Sequence, residues 1–180
     1  DWNHGVYLAA TMGSEATAAA EGQAAIRRDP MAMLPFCGYN MADYWTHWIE
    51  MGKKISNAPS IFRVNWFRKD EDGKFMWPGF GENTRVLKWI VERVRGNADA
   101  VESPFGLMPR REDINWQGLD FDAETFYKLM EVDRAAGQNE AEDQKALFDS
   151  FGDRLPSDME NQRQALIARS EDAPEVWQVK

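Results

Sequence analysis

The stretch Trp66-Phe67-Arg68-Lys69-Asp70-Glu71-Asp72-Gly73-Lys74-Phe75-Met76-Trp77-Pro78-Gly79-Phe80-Gly81-Glu82-Asn83 constrains the fold more than any other part of the chain. It sets five aromatics among charges, glycines and a proline, which suits neither a core strand nor an amphipathic helix. The steps from Phe67 to Phe75 and on to Phe80 match neither a period of 2 nor one of 3.6, so no regular element puts the three rings on one face. They meet through a folded loop if they meet at all. Two readings follow: the rings fill a satellite core under the loop, or they form a slot with flat apolar faces for a planar ligand.

The residues after the third ring favour the slot. Gly79 and Gly81 permit close backbone approach on either side of Phe80, and Glu82-Asn83 place hydrogen-bonding groups at the start of a predicted helix. Flat faces with a polar edge reader suit a nucleobase. Stacking on an aromatic contributes roughly 1–3 kcal/mol per base, and an Asn amide carries a donor and an acceptor in one plane. Guanine offers O6 as acceptor and N1 and N2 as donors, so an Asn can match it where adenine leaves groups unpaired.

The run from Asn65 to Asp70, through Gly73-Lys74-Phe75 and Trp77-Pro78-Gly79-Phe80-Gly81-Glu82-Asn83 to Arg85-Val86-Leu87, closely resembles the guanine-binding segment of GTP-dependent phosphoenolpyruvate carboxykinases. The resemblance extends upstream through Trp2, His4-Gly5-Val6, Met12, Ser14 to Glu21, Asp29-Pro30, Ala32-Met33, Pro35-Phe36 and Gly38-Tyr39-Asn40, and fades after about Leu119. It implies that Phe67, Phe75 and Phe80 enclose a guanine ring and that Asn83 reads its edge. It also implies that Phe36 lies beside the substrate, while residue type alone fits a core role for Phe36 equally well.

A chain of 180 residues suffices for one domain with a real core. It opens at Asp1, and the enzymes it resembles are roughly three times longer, so it reads as the C-terminal third of a larger protein. No apolar run approaches the ~18 residues of a membrane span, no signal peptide opens the chain, and a cytoplasmic location is expected. The single cysteine, Cys37, excludes an intrachain disulfide and reads as packed rather than reactive. Of the formal charge of −9, the segment 120–180 carries −8, with 15 acidic and 7 basic residues. Such a surface repels a phosphate backbone and weighs against a nucleic-acid partner. A mononucleotide needs no basic field across the whole domain.

Gly5 to Ala10 reads as a short buried strand and Ala24-Ala25-Ile26 as a second one. The apolar residues Met41, Tyr44, Trp45, Trp48 and Ile49 fall at helical spacing, predicting a helix over Met41 to Met51. Ile61 to Phe67 reads as a strand leading into the aromatic loop. A helix is expected from Glu82 to Val94, with Val86, Leu87, Ile90, Val91 and Val94 on one face and Gly96 near its end. Residues 97–118 read mostly as loop. Two further helices are expected over Ala123 to Phe151, broken near Gly137, and over Ser157 to Ala168.

The pattern predicts a mixed α/β class: the C-terminal part of a mixed-sheet nucleotide-binding catalytic domain, finished by a helical tail. The expected division is 1–119, carrying lid and guanine pocket, and 120–180, the acidic tail. Too few strands are present for an independent sheet, so the partner strands are expected in the remainder of the same polypeptide.

The segment Ser14-Glu15-Ala16-Thr17-Ala18-Ala19-Ala20-Glu21 supports two readings: an Ala-rich helix starting at Ser14, or a surface loop of small side chains between glycines. The resemblance implies the second, an Ω-shaped lid that closes over bound substrates and shields an enolate from water. His4 and His47 lie too far apart in sequence, in different elements, to suggest a metal pair. Gly73-Lys74 lacks the flanking residues of a phosphate loop, and Asp70-Glu71-Asp72 reads as a solvated turn.

The resemblance further implies conversion of oxaloacetate and GTP to phosphoenolpyruvate, GDP and carbon dioxide, a gluconeogenic lyase reaction. It calls for a manganese ion at the active site and a magnesium or manganese ion on the nucleotide. The family's phosphate loop, Lys, His and Asp metal ligands and substrate arginines have no counterpart here and are expected upstream, so this chain supplies no metal ligand and is expected to be inert alone. Two alternatives stay open: a noncatalytic guanine-nucleotide-binding module, and an interaction domain whose phenylalanines are core.

Overall fold

The computed structural model describes residues 1–15 and 26–179. Its elements run α1 (Trp2–Ala10), β1 (Gly13–Glu15), β2 (Ile26–Arg28), α2 (Met41–Lys54), α3 (Asn83–Val94), β3 (Val101–Ser103), β4 (Gly106–Met108), α4 (Ala123–Met130), β5 (Val132–Asp133), α5 (Arg134–Asp149), α6 (Ser157–Asp172) and β6 (Val176–Trp177). Helices and strands are mixed, as the α/β expectation requires. The strands among the described residues form three separate antiparallel pairs, β1 with β2, β3 with β4 and β5 with β6. Two compact units result: Asp1–Arg63 with Glu140–Ala165, and Val64–Asn139 with Leu166–Lys180.

In the first unit, the segment expected to be a strand over Gly5 to Ala10 is helical. The Asp1 carboxylate accepts from the His4 backbone N–H at 2.7 Å and caps the first turn. Val6, Tyr7 and Ala10 then fall on one buried face, and Thr11 closes the helix by donating its Oγ1 hydrogen to the Tyr7 carbonyl at 2.8 Å. A short apolar run does not separate strand from buried helix by periodicity, and the cap one turn upstream decides it. Gly5 is required by packing, because a Cβ there would lie 2.7 Å from Ile61 Cβ.

The helix predicted from Met41 is present and extends to Lys54, capped by the Asn40 side chain, which accepts from Ala42 N–H. Its buried face carries Met41, Ala42, Trp45 and Ile49. Trp45 is fully buried against Phe148 and Phe151, with ring centroids 6.0 and 4.6 Å away. Trp48 stacks on Trp2 at 5.5 Å, and Gly52 leaves room for the Trp2 indole. Tyr7 donates its hydroxyl to the buried Gln144 side chain, so a polar pair inside this core is satisfied.

The second unit is built around Trp77, Phe121, Phe126 and Val179, with Trp66, Val86, Trp116 and Trp177 packed against them. Trp116 stacks nearly parallel on Phe121 at 5.1 Å and meets Phe126 edge to face at 5.5 Å. Residues 61–67 form no strand, contrary to expectation. The Asn65 side chain accepts from Phe67 N–H at 2.9 Å, a local bond that turns the chain just where a strand would continue. Alpha3 begins at Asn83 after a single 3-10 turn, Phe80–Glu82. Its predicted apolar face is not the buried one: Val86 and Ile90 are half-buried, Leu87, Val91 and Val94 are exposed, and the buried residue is Trp89, which lies outside that predicted set.

The expected loop 97–118 contains the hairpin β3–β4, too short to leave a sequence period. The Ser103 hydroxyl donates to the Gly106 carbonyl at 2.8 Å across its turn. The break expected near Gly137 lies earlier. Alpha4 ends at Met130, Val132 and Asp133 pair with Trp177 and Val176, and α5 starts at Arg134. Gly137 sits inside α5 because a Cβ there would come 2.9 Å from Ser170 Oγ on α6. Alpha6 is longer than predicted, by the turn from Arg169 to Asp172.

Candidate nucleotide site

The aromatic loop folds back on itself as a tight, hairpin-like turn. Lys69 and Phe75 form an isolated antiparallel bridge, Met76 N–H donates to the Arg68 carbonyl at 2.9 Å, and Asp70 N–H donates to the Lys74 carbonyl at 2.9 Å. The Asp70 carboxylate accepts from the backbone N–H of Asp72 and Lys74, and Gly73 takes the left-handed conformation, φ 78°. The acidic run is thus the turn itself, with Glu71 and Asp72 exposed to water and Asp70 half-buried. Arg68 donates to the carbonyls of Leu129 and Glu131 at 2.8 and 2.7 Å, tying this turn to the end of α4.

This fold brings Phe67 and Phe75 together edge to face, with ring centroids 6.0 Å apart. Both stay solvent-facing, 67% and 52% exposed, and the Lys69 ammonium lies 5.1 Å from the Phe75 centroid. Phe80 stands apart, 98% exposed and without a ring contact among the described residues. Gly79 at φ 78° and Phe80 at φ 44° are both left-handed. For Phe80 that backbone costs about 1–2 kcal/mol, held by a turn in which Asn83 N–H donates to the Phe80 carbonyl. An exposed ring on a strained backbone is no core residue.

Asn83 follows directly. Its Oδ1 accepts from Trp77 Nε1–H at 2.7 Å, and Trp77 is only 5% exposed within the aromatic core. Its Nδ2 has no protein partner among the described residues. Sequence spacing suggested Asn83 but not Trp77; the clue was a donor-only indole in the same loop. Glu82 is engaged by Arg85, which also donates to the carbonyls of Asn115 and Gln117. Beside this turn a groove of about 900 Å³ is lined by Glu82, Arg85, Lys88, Trp89, Glu92 and Asp99 among others, but by none of the three phenylalanines.

In the first unit, β1 and β2 pair in the register Gly13 with Arg28, Ser14 with Arg27 and Glu15 with Ile26, and Asp29 N–H donates to the Met12 carbonyl at 3.0 Å. Ser14 and Glu15 are therefore strand residues, not a helix start. The rest of the expected lid, Ala16, Thr17, Ala18, Ala19, Ala20 and Glu21, lies outside the described residues, as do Ala24 and Ala25 of the second predicted strand.

Arg28 anchors the base of this pair, a feature without a sequence signal because its partners are distant. It donates to both Glu140 oxygens at 2.8 and 3.0 Å, to Asp143 and to the Thr11 carbonyl. Burial pushes the Glu140 carboxyl up, but the Arg28 guanidinium outweighs it and holds the group below its ordinary value. Phe36 ends a 3-10 turn and is 83% exposed, which excludes the core role for it. Cys37 is half-buried, its thiol 3.4 Å from the Tyr39 carbonyl.

Comparison with known proteins extends over both segments. Residues 1–169 match the family described as phosphoenolpyruvate carboxykinase C-terminal P-loop domain. The chain is 46% identical over 177 residues to a protein of Anaeromyxobacter dehalogenans (strain 2CP-1) named phosphoenolpyruvate carboxykinase (GTP), covering 98% of this chain and 30% of that relative. It is 47% identical over 174 residues to the Treponema pallidum (strain Nichols) protein of the same name, covering 94% and 28%. The chain thus spans less than a third of the length of these curated relatives. Across nearly its whole extent, and through the segments that carry the aromatic loop and the β1–β2 base, it belongs to the phosphoenolpyruvate carboxykinase C-terminal domain family.

Proposed function

We propose that this chain is the guanine-selecting and lid-bearing part of a GTP-dependent phosphoenolpyruvate carboxykinase. The observation that carries this reading is the pairing of a fully exposed Phe80 with the adjacent, immobilised Asn83. Phe80 offers a free aromatic face, and Phe67 and Phe75 offer a second apolar surface in the same unit. The Asn83 amide nitrogen is the donor left for guanine O6. Adenine carries an amino group at that position, and two donors would then oppose each other.

In the proposed reaction the bond between the carboxylate carbon and the rest of oxaloacetate breaks, releasing carbon dioxide and leaving its electron pair as an enolate. The enolate oxygen attacks the γ-phosphorus of GTP, and GDP leaves. The chain's own contributions are to hold the base and to bear the lid. The segment between β1 and β2 would exclude water from the enolate and suppress its protonation to pyruvate.

Divalent manganese and magnesium are proposed for the whole enzyme. The described residues include no group of three or more His, Cys, Asp or Glu placed to hold a metal. The proposed partners are GTP or GDP, oxaloacetate or phosphoenolpyruvate, and the remainder of a longer polypeptide, for which the exposed Leu87, Val91 and Val94 of α3 supply apolar surface. Among the described residues no helix is long and apolar enough to cross a membrane.

The test is a titration of the intact protein with GDP and, separately, ADP, followed by tryptophan fluorescence. A saturable response to GDP with little to ADP is expected. Equal responses, or none, would remove the guanine assignment.

A further inference from the structure

We propose that Trp77 is a positioning residue that sets guanine-over-adenine selectivity by locking the orientation of the Asn83 amide. The inference rests on the guanine reading given above and assigns the origin of its selectivity. An Asn amide is close to symmetric in shape, and a half-turn about its last side-chain bond exchanges acceptor for donor. A freely turning Asn83 could therefore give Nδ2–H to guanine O6 or Oδ1 to the adenine amino group. It would discriminate little.

Trp77 removes that freedom. Its indole nitrogen is a donor only, so it accepts no bond from Nδ2–H, and at 2.7 Å it admits only Oδ1. The indole cannot swing away, because Trp77 is 5% exposed and its ring is held by Trp66 at 6.4 Å, Trp116 at 6.4 Å and Phe121 at 5.8 Å. Turning the amide would bring two donors together at a nearly buried position and leave the indole N–H unpaired. Asn83 is itself fixed at the first turn of α3, where its backbone N–H donates to the Phe80 carbonyl. The base reader, the stacking ring and the lock are thus joined through seven consecutive residues, Trp77 to Asn83. Neither Trp77 nor Asn83 titrates, so the lock keeps one orientation at every pH at which the protein is folded.

The experiment measures dissociation constants of GDP, IDP and ADP by calorimetry on the intact protein. The variants are Trp77→Phe, Asn83→Ala, and a form carrying benzothienylalanine at position 77, which keeps the bicyclic shape and removes only the N–H. With Phe or benzothienylalanine at 77, the preference for GDP over ADP should fall about tenfold, mainly through tighter ADP binding, with IDP following GDP because both present O6. A merely structural role for Trp77 would weaken all three nucleotides in parallel. An unchanged GDP-to-ADP ratio in the benzothienylalanine form, while Asn83→Ala abolishes the preference, would overturn the lock and leave the guanine reading intact. A native protein without GDP preference, or one whose preference survives Asn83→Ala, would overturn that reading and the lock with it.

Discussion

Phe80 combines two costs that a protein does not ordinarily combine, full exposure of a large apolar ring and a left-handed backbone. Because the ring touches no core, its removal should separate binding from folding. Phe80→Ala is expected to raise the Michaelis constant for GTP roughly tenfold to a hundredfold, from a stacking contribution of ~1–3 kcal/mol. The melting temperature should stay within about 2 °C, as for other exposed positions. A normal constant in steady-state kinetics, or a collapse of thermal stability, would contradict the assignment. At this scale residue type drew attention to Phe67, Phe75, Phe80 and Asn83, whose proposed roles rest on the resemblance as well as on composition. Trp77 stood in the same loop but its bond to Asn83 was not foreseen, and Arg28 left no signal because its partners are distant in sequence. The Arg28 to Glu140 pair closes across most of the chain, and no local pattern encodes it.

Two helices and one strand pair lend themselves to tests at the level of elements. Inside α5, Gly137→Ala should gain up to ~1 kcal/mol of helix propensity but would place Cβ 2.9 Å from Ser170 Oγ. Ser170 Oγ is buried and makes no hydrogen bond among the described residues, so Ser170→Ala should itself be neutral or slightly stabilising. Gly137→Ala is therefore expected to lower the melting temperature in the native background and to raise it in the Ser170→Ala background. Identical shifts in the two backgrounds would show that α5 and α6 do not meet at this point.

The β1–β2 pair carries a pH signature. Glu140 has its folded-state value depressed by Arg28, so the stability it gives is complete above the ordinary glutamate value of about 4.3 and is lost as pH falls below it. Arg28→Gln should speed hydrogen exchange at the Asp29 amide about tenfold at neutral pH, and this difference should shrink at more acidic pH. A difference that persists well below that value would assign the protection to something other than the ion pair. Alpha2 was legible from spacing with its buried face, and α3 as a helix only, since its predicted apolar face is mostly exposed. Alpha1 was not, since a six-residue apolar run fits strand and helix alike and the deciding signal is the Asp1 cap outside it. Ile61 to Phe67 has strand composition, but the turn at Asn65 interrupts it.

For the whole molecule, the proposed function places selection of the nucleotide and protection of the intermediate in different parts of the chain, and they should fail independently. Shortening the segment between β1 and β2 is expected to suppress turnover and raise the share of pyruvate in the product while GDP affinity stays nearly native. Weak GDP binding with normal product ratios would reverse the assignment. The acidic surplus of 120–180 was plain from the sequence, as was the mixed class. The pairing of β5 with β6 was not, since each strand has only two residues. The indoles of Trp66, Trp77 and Trp116 succeed one another at 6.4 Å, close enough for an excited state to pass among them before it emits. Light absorbed by any one of them belongs to a shared chromophore. Its emission should be strongly depolarised even in a rigid glass, and quenching any one indole by a bound base should dim all three together.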